Sequence, residues 1–105
     1  MVEKVYPLAQ TEVTTAEKII MTDEIHYIHL VLGAGEALDR HHANAKVHMN
    51  ILRGTVTLEL ADQEAHAYSV GNLVVIPDKT EMLISNKEDH ALEVVIVKAP
   101  GPVQA

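Results

Sequence analysis

Six short stretches of mostly alternating, β-branched residues constrain the fold of this chain more than any other feature. They cover residues 25–32, 47–52, 55–60, 73–76, 82–85 and 92–97. Turn-forming residues separate them at short intervals, and no sustained helical period lies between them. Such spacing is typical of sandwiches and barrels, so the sequence predicts an all-β fold of antiparallel strands.

The remaining segments leave little room for a helix. Thr14 and Glu17 have the spacing of a helix-capping box, but turn-forming residues follow at 22–24, so we expect a strand and then a hairpin there. Residues 34–45, AGEALDRHHANA, contain helix formers but no apolar period of 3.6 residues. They are predicted to form a loop.

The chain is predicted to form a single domain over residues 1–105, because its length matches one compact unit. The core is expected over residues 25–98, preceded by an N-terminal strand segment at 1–24. Two prolines flank a glycine near the C-terminus, so residues 99–105 are predicted to form an extended, loosely ordered tail.

Charge and composition argue against several classes of function. The formal charge of -7 and the sequence pI of about 5.4 would repel nucleic acid and anionic membrane surfaces. The absence of cysteine removes thiolate metal sites and a cysteine nucleophile. No apolar run has the length of a signal peptide core or a membrane span, and we expect a cytoplasmic protein.

A cluster of histidines raises the question of a metal site. The stretch RHHANAKVHMN, residues 40–50, holds His41, His42 and His48. Imidazoles at such short spacing are candidate ligands for transition metals. The three histidines can bind one metal ion only if their side chains share one face of the fold.

From Gly35 to Asn86 the sequence resembles the cupin family, small jelly-roll barrels marked by two spaced motifs. The positions that match are Gly35, His41 and Gly54 in the first motif and Gly71, Pro77 and Asn86 in the second. The resemblance implies a cupin-type double-stranded β-helix. It covers about half of the chain strongly and the neighbouring strands weakly.

The resemblance also implies a metal site of three histidines and one glutamate, a mixed nitrogen and oxygen set for iron, manganese, nickel or zinc. His41 stands at the first ligand position, but Ala43, Val47 and Met82 stand at the other three. Lys79 replaces a glycine of the second motif, which affects only the local turn. The family's usual ligand set is therefore missing.

Strand alternation predicts which side chains point into the barrel, where the family's metal site would lie. If residue 47 keeps the direction of the family's glutamate, an apolar ligand pocket results. Its residues would be His41, Val47, Met49, Ile51 and Met82. A shift of one residue would instead bring His42, Asn44 and His48 inward, but at the cost of exposing Val47, Met49 and Ile51.

A nonstandard metal site is the alternative, with His41, Met82, His42 and His48 as candidate ligands. Imidazole with thioether suits copper, and His26 or His29 could supply a further ligand. His41 is also the one acid or base that we can assign to the pocket for metal-free catalysis.

The sequence favours a binding protein with a mostly apolar cavity for a small molecule and no cofactor. The alternatives are a metal-dependent dioxygenase or isomerase, using a divalent transition metal or copper, and a regulatory module that acts through a partner protein. We also expect a homodimer, because sheet edges and an apolar face need cover. The outward face of 25–32 would present either Ile28, Leu30 and Leu32 or Ile25 and Val31.

Overall fold

The structure, a computed structural model, describes residues 1–102 and is built from strands joined by turns and loops. The strands are β1 (Thr15–Met21), β2 (His26–Leu32), β3 (His41–His42), β4 (Val47–Arg53), β5 (Thr55–Leu60), β6 (His66–Ser69), β7 (Leu73–Ile76), β8 (Glu81–Ser85) and β9 (Leu92–Lys98). Residues 1–102 contain no helix, and hence none that could span a membrane. The predicted all-β architecture and the hairpin at 22–24 are confirmed.

The strands form two antiparallel sheets. The five-stranded sheet has the order β1-β2-β9-β4-β7, and the four-stranded sheet has the order β3-β8-β5-β6. Alternate side chains of both sheets meet in one apolar core, with Leu30, Val47 and Val94 on one side and Leu58 and Ile84 on the other. Each of them is at most 2% exposed, and burial of such a side chain is worth about 1.5 to 3 kcal/mol.

The hairpin between β4 and β5 carries the chain from one sheet to the other and requires a glycine. Gly54 has a φ of 82°, a left-handed conformation that residues with a side chain rarely adopt. A Cβ atom at this position would also lie 2.9 Å from the carbonyl oxygen of Ala91. Both constraints explain why the first motif closes with glycine.

Two short strands differ from the sequence prediction. The strand β6 lies in a stretch for which no strand was predicted, because His66, Ala67 and Ser69 are exposed and give no apolar alternation. The strand β3 interrupts the loop predicted for 34–45, and its two residues pair with Met82 and Glu81 of β8. Pairing with β8, rather than local propensity, defines β3.

The segment before β1 packs on the outer face of the five-stranded sheet. The Arg53 guanidinium donates hydrogen bonds to Glu12 Oε1 at 2.8 Å and to the carbonyl oxygen of Thr11 at 2.9 Å. The backbone N–H of Ala9 donates to Glu17 Oε1 at 2.9 Å. Val31, which faces away from the core, is fully buried.

The structure describes the predicted tail as far as residue 102, and residues 103–105 lie outside the described part of the chain. The Gly101 N–H donates a hydrogen bond to the carbonyl oxygen of Asp23 at 3.0 Å. A side chain at position 101 would collide with the carbonyl oxygen of Thr22 and crowd His26. Backbone hydrogen bonding and close packing therefore hold this stretch against the β1–β2 hairpin.

Candidate functional site

A cavity of about 210 Å³ lies between the two sheets. Most of its wall is aliphatic, and its lining consists of Ala16, Lys18, Ile28, Leu30, Leu38, His41, Val47, Met82, Ile84, Ile96 and Lys98. Lys18 and His41 are exposed, which places them at the mouth. The interior is therefore apolar and the entrance carries the polar groups.

The five residues predicted for the pocket divide into two groups. His41, Val47 and Met82 line the cavity, and His41 is paired with Met82 across β3 and β8. Met49 and Ile51 are buried in the core but are not part of the lining. They lie further along β4, since every second residue of a strand advances by roughly 7 Å.

His41 is held at the rim of the cavity. Its Nδ1 donates a hydrogen bond to the carbonyl oxygen of Asp39 at 2.8 Å. Because a carbonyl only accepts, this bond places a proton on Nδ1 and leaves Nε2 for other partners. The ring is exposed, so His41 is accessible from solvent and from the cavity.

The other two histidines of the cluster point elsewhere. His42 is exposed, with its Nε2 3.8 Å from Glu81 Oε2. His48 lies on the outer face of β4, and its Nδ1 is buried with no hydrogen-bond partner in residues 1–102. Val47 and Met49, on either side of His48 along β4, are buried, so β4 has the predicted register and not the shifted one.

Neither histidine of β2 reaches the cavity. His26 shares the inward alternation of Ile28 but packs against Gly101, with 2% of its surface exposed. His29 faces the opposite side of the sheet, where its Nδ1 lies 2.7 Å from Glu17 Oε1 and its Nε2 lies 2.6 Å from Glu93 Oε2.

The Glu17–His29–Glu93 cluster joins the N-terminal segment to the sheet. The pKa of the Glu17 carboxyl lies below its ordinary value, because the Ala9 N–H and then the His29 ring donate hydrogen bonds to it. No local sequence signal indicates this cluster, since its members lie 12 and 64 positions apart. Strand pairing alone brings them together.

The residues present do not fit the metal centre of the resembled family. Three of the four ligand positions hold Ala43, Val47 and Met82, all of them buried and apolar. Within residues 1–102 no three histidine, aspartate or glutamate side chains gather as a metal ligand set would. One imidazole and one thioether remain at the cavity, and the other proposed ligands lie on other faces.

Two lysines lie at the mouth of the cavity, and no sequence pattern indicates them. Lys18 on β1 and Lys98 on β9 both flank β2, so the sheet order brings them together. Lys98 Nζ donates a hydrogen bond to Asn44 Oδ1 at 2.8 Å. Burial, and next the charge of Lys18, lower the pKa of Lys98 below its ordinary value.

Similarity to known proteins agrees with this architecture. No protein-family model matches the chain. A protein of Methanocaldococcus jannaschii is 42% identical over 103 residues, which is 97% of this chain and 89% of that protein. Its crystal structure, described as an RmlC-like cupin family protein with a double-stranded β-helix fold, superposes with a TM-score of 0.92 at 41% identity, covering 97% of this chain and 94% of the other.

More distant structures share the fold alone. A cupin 2 conserved barrel domain protein of Salinispora arenicola has a TM-score of 0.76 at 14% identity, covering 91% of this chain and 87% of its own. The polyketide cyclase RemF of Streptomyces resistomycificus has a TM-score of 0.75 at 17% identity, covering 87% and 68%. With the extended match to the Methanocaldococcus protein, the chain belongs to the RmlC-like cupin family. The predicted family and its double-stranded β-helix are thus confirmed.

Proposed function

We propose that the protein binds a small, largely apolar molecule in the cavity between its sheets. The observation that carries this proposal is the replacement of metal ligands by apolar side chains, which leaves an aliphatic cavity of about 210 Å³. An apolar cavity with a few polar groups at its edge is the usual form of a small-molecule site.

The size of the cavity limits the ligand. Drug-sized ligands occupy pockets of about 300 to 1,000 Å³, which exceeds this volume. An apolar cavity of about 150 Å³ is enough for benzene. The cavity of 210 Å³ therefore suits a ligand of the size of a single substituted ring or a short branched chain.

Catalysis has less support than binding. The polyketide cyclase with this fold is an enzyme, but its 17% identity carries no assignment of activity to this chain. His41 is the one imidazole in the lining, and the other titratable residues of that lining are Lys18 and Lys98. The histidines are dispersed as well, and within residues 1–102 they form no ligand set for the metal-dependent alternative.

Calorimetric titration with benzyl alcohol, a neutral probe of suitable size, tests the proposal. We expect saturable 1:1 binding by the wild type and its loss in Ile28→Phe, because Ile28 is a half-buried residue of the lining and a larger ring would fill the space. Ile19→Phe is the matched control, since Ile19 is a half-buried residue outside this lining. Equal binding by both variants, or no binding by the wild type, would contradict the proposal.

A further inference from the structure

We propose that the ligand is an anion, a small apolar carboxylate whose head lies between Lys18 and Lys98 and whose body enters the cavity. This inference rests on the proposed function and specifies its ligand class. It follows from the charges at the mouth, their surroundings and the shape of the wall beneath them.

The two lysines have no acidic partner in residues 1–102. The chain carries 15 acidic residues against 8 lysines and arginines, so carboxylates are plentiful. Arg40 pairs with Glu59 at 2.8 Å and Arg53 pairs with Glu12 at 2.8 Å, yet no carboxylate lies within 4.0 Å of Lys18 or Lys98 in this part of the chain. Two cations that share one entrance leave its positive charge uncompensated.

The ammonium group of Lys98 lies in a partly buried, mostly apolar environment. Its side chain is half-buried, and beside it the cavity wall is formed by Val47, Ile96 and other aliphatic residues. An ammonium group has three N–H donors, and a neutral acceptor, Asn44 Oδ1, takes one of them. Burial and the like charge of Lys18 both disfavour the ammonium form. A bound anion would offset both effects.

The polar and apolar residues of the lining occupy different ends of the cavity, so a matching ligand has a polar head and an apolar body. Lys18, Lys98 and the Nε2 atom of His41 are the polar groups available at the entrance, while Leu30, Ile84 and the remaining lining residues are apolar. A carboxylate can accept hydrogen bonds from the ammonium groups. An aliphatic or aromatic body of about the size of benzene would fill the space behind it.

Comparison of benzoate with benzyl alcohol separates charge from shape. We expect the wild type to bind benzoate about tenfold more tightly than benzyl alcohol, since a hydrogen bond to a charged group supplies at least that factor. Lys98→Met should remove this preference and leave the affinity for benzyl alcohol within about twofold. Lys87→Met, which removes the same charge from an exposed residue outside the lining, should keep the preference.

The outcomes are distinct for the two proposals. If benzyl alcohol binds as tightly as benzoate, or if Lys87→Met loses the preference as Lys98→Met does, the anion proposal is wrong while cavity binding stands. If neither probe binds, both proposals fail. Should Lys98→Met not fold, the salt dependence of binding by the wild type still tests the anion proposal. Its affinity for benzoate must fall with added salt while that for benzyl alcohol does not, and equal salt dependence overturns the anion proposal.

Discussion

His41 and Met82 are paired residues of β3 and β8, and both line the cavity. The ring of His41 is fixed by its Nδ1 bond to the Asp39 carbonyl, while the thioether of Met82 is buried. One polar and one apolar group therefore meet at the same point of the wall. This pairing makes His41 the histidine of its cluster that a ligand can contact.

We expect His41→Ala to weaken benzoate binding by about threefold to tenfold, because it removes a polar group at the entrance. Its unfolding free energy should change by at most about 1 kcal/mol, as the side chain is exposed. His48→Ala is the matched control and should leave binding unchanged, since His48 lies on the outer face. Calorimetric titration and urea unfolding of both variants check this, and a binding defect in His48→Ala would contradict the assignment.

Asn86 fixes the loop after β8 to the end of β2. Its side-chain amide donates to the carbonyl oxygens of Leu32, Gly33 and His90 at 2.8 to 3.1 Å, and its Oδ1 accepts from the Glu88 N–H at 3.0 Å. The side chain is buried, and Asn86→Ala removes all of these hydrogen bonds.

We expect Asn86→Ala to lower the unfolding free energy by about 2 kcal/mol or more. Asn50→Ala, at an exposed position of β4, should change it by less than about 0.5 kcal/mol. Urea unfolding measures both values. Equal effects of the two substitutions would show that the hydrogen bonds of Asn86 do not hold this loop.

Glu17 should make stability depend on pH in the acid range. Its pKa is lowered in the folded state from 4.5, so the folded protein binds fewer protons there than the unfolded chain. Its contribution is fully present above the unfolded value and is lost as the pH falls through the folded value. Glu17→Gln should therefore lose less stability than the wild type on acidification.

Urea unfolding of the wild type and Glu17→Gln at about pH 7 and in steps below pH 4.5 measures this difference. Glu3→Gln, at an exposed position of the N-terminal segment, is the control and should follow the wild type. Parallel pH profiles for the wild type and Glu17→Gln would refute the proposed contribution of the carboxylate.

Self-association remains a prediction, but the structure indicates a different surface for it than the predicted face of β2. Ile28, Leu30 and Leu32 face inward, and Val31 is buried on the outer side, so β2 offers no free apolar face. Two exposed apolar residues lie instead on β7, an edge strand of the five-stranded sheet, with Leu73 63% and Val75 45% exposed. A second copy could pair with this edge strand through a two-fold axis, extending the sheet and covering both residues.

Light scattering of the wild type at micromolar concentration should give twice the chain mass of 11.5 kDa, and Leu73→Glu should give the single mass. Val70→Glu, a charge change at an exposed residue outside β7, should remain a dimer. A wild type of single mass would refute self-association, and a dimeric Leu73→Glu would refute this surface.

The sequence predicted those strands in which apolar and polar residues alternate. The long strands β2, β4 and β9 bury every second residue or more, and their pattern is visible in the chain itself. Lys79 shows a finer agreement, because the residue that replaces the family glycine adopts a φ of 71°, the conformation that glycine favours. The strand β6 escaped prediction, since its exposed residues follow no pattern.

The site could be predicted less completely, for a physical reason. The directions of His41, Val47 and His48 follow from alternation along one strand and from the spacing of one motif. Lys18 and Lys98 meet only because β2 lies between their strands, and the bonds of His29 join three separate strands. Contacts of this kind depend on sheet order, which no short stretch of sequence carries.

The most direct test of ligand binding in the cavity is a methyl NMR titration of the wild type with benzoate. Binding in the cavity predicts saturable shifts that are largest for Met82, Ile84 and Leu30, with none for Leu52 or Leu73 on the outer surface. Absence of saturable shifts at the lining methyls, or shifts confined to the outer surface, would contradict ligand binding in the cavity.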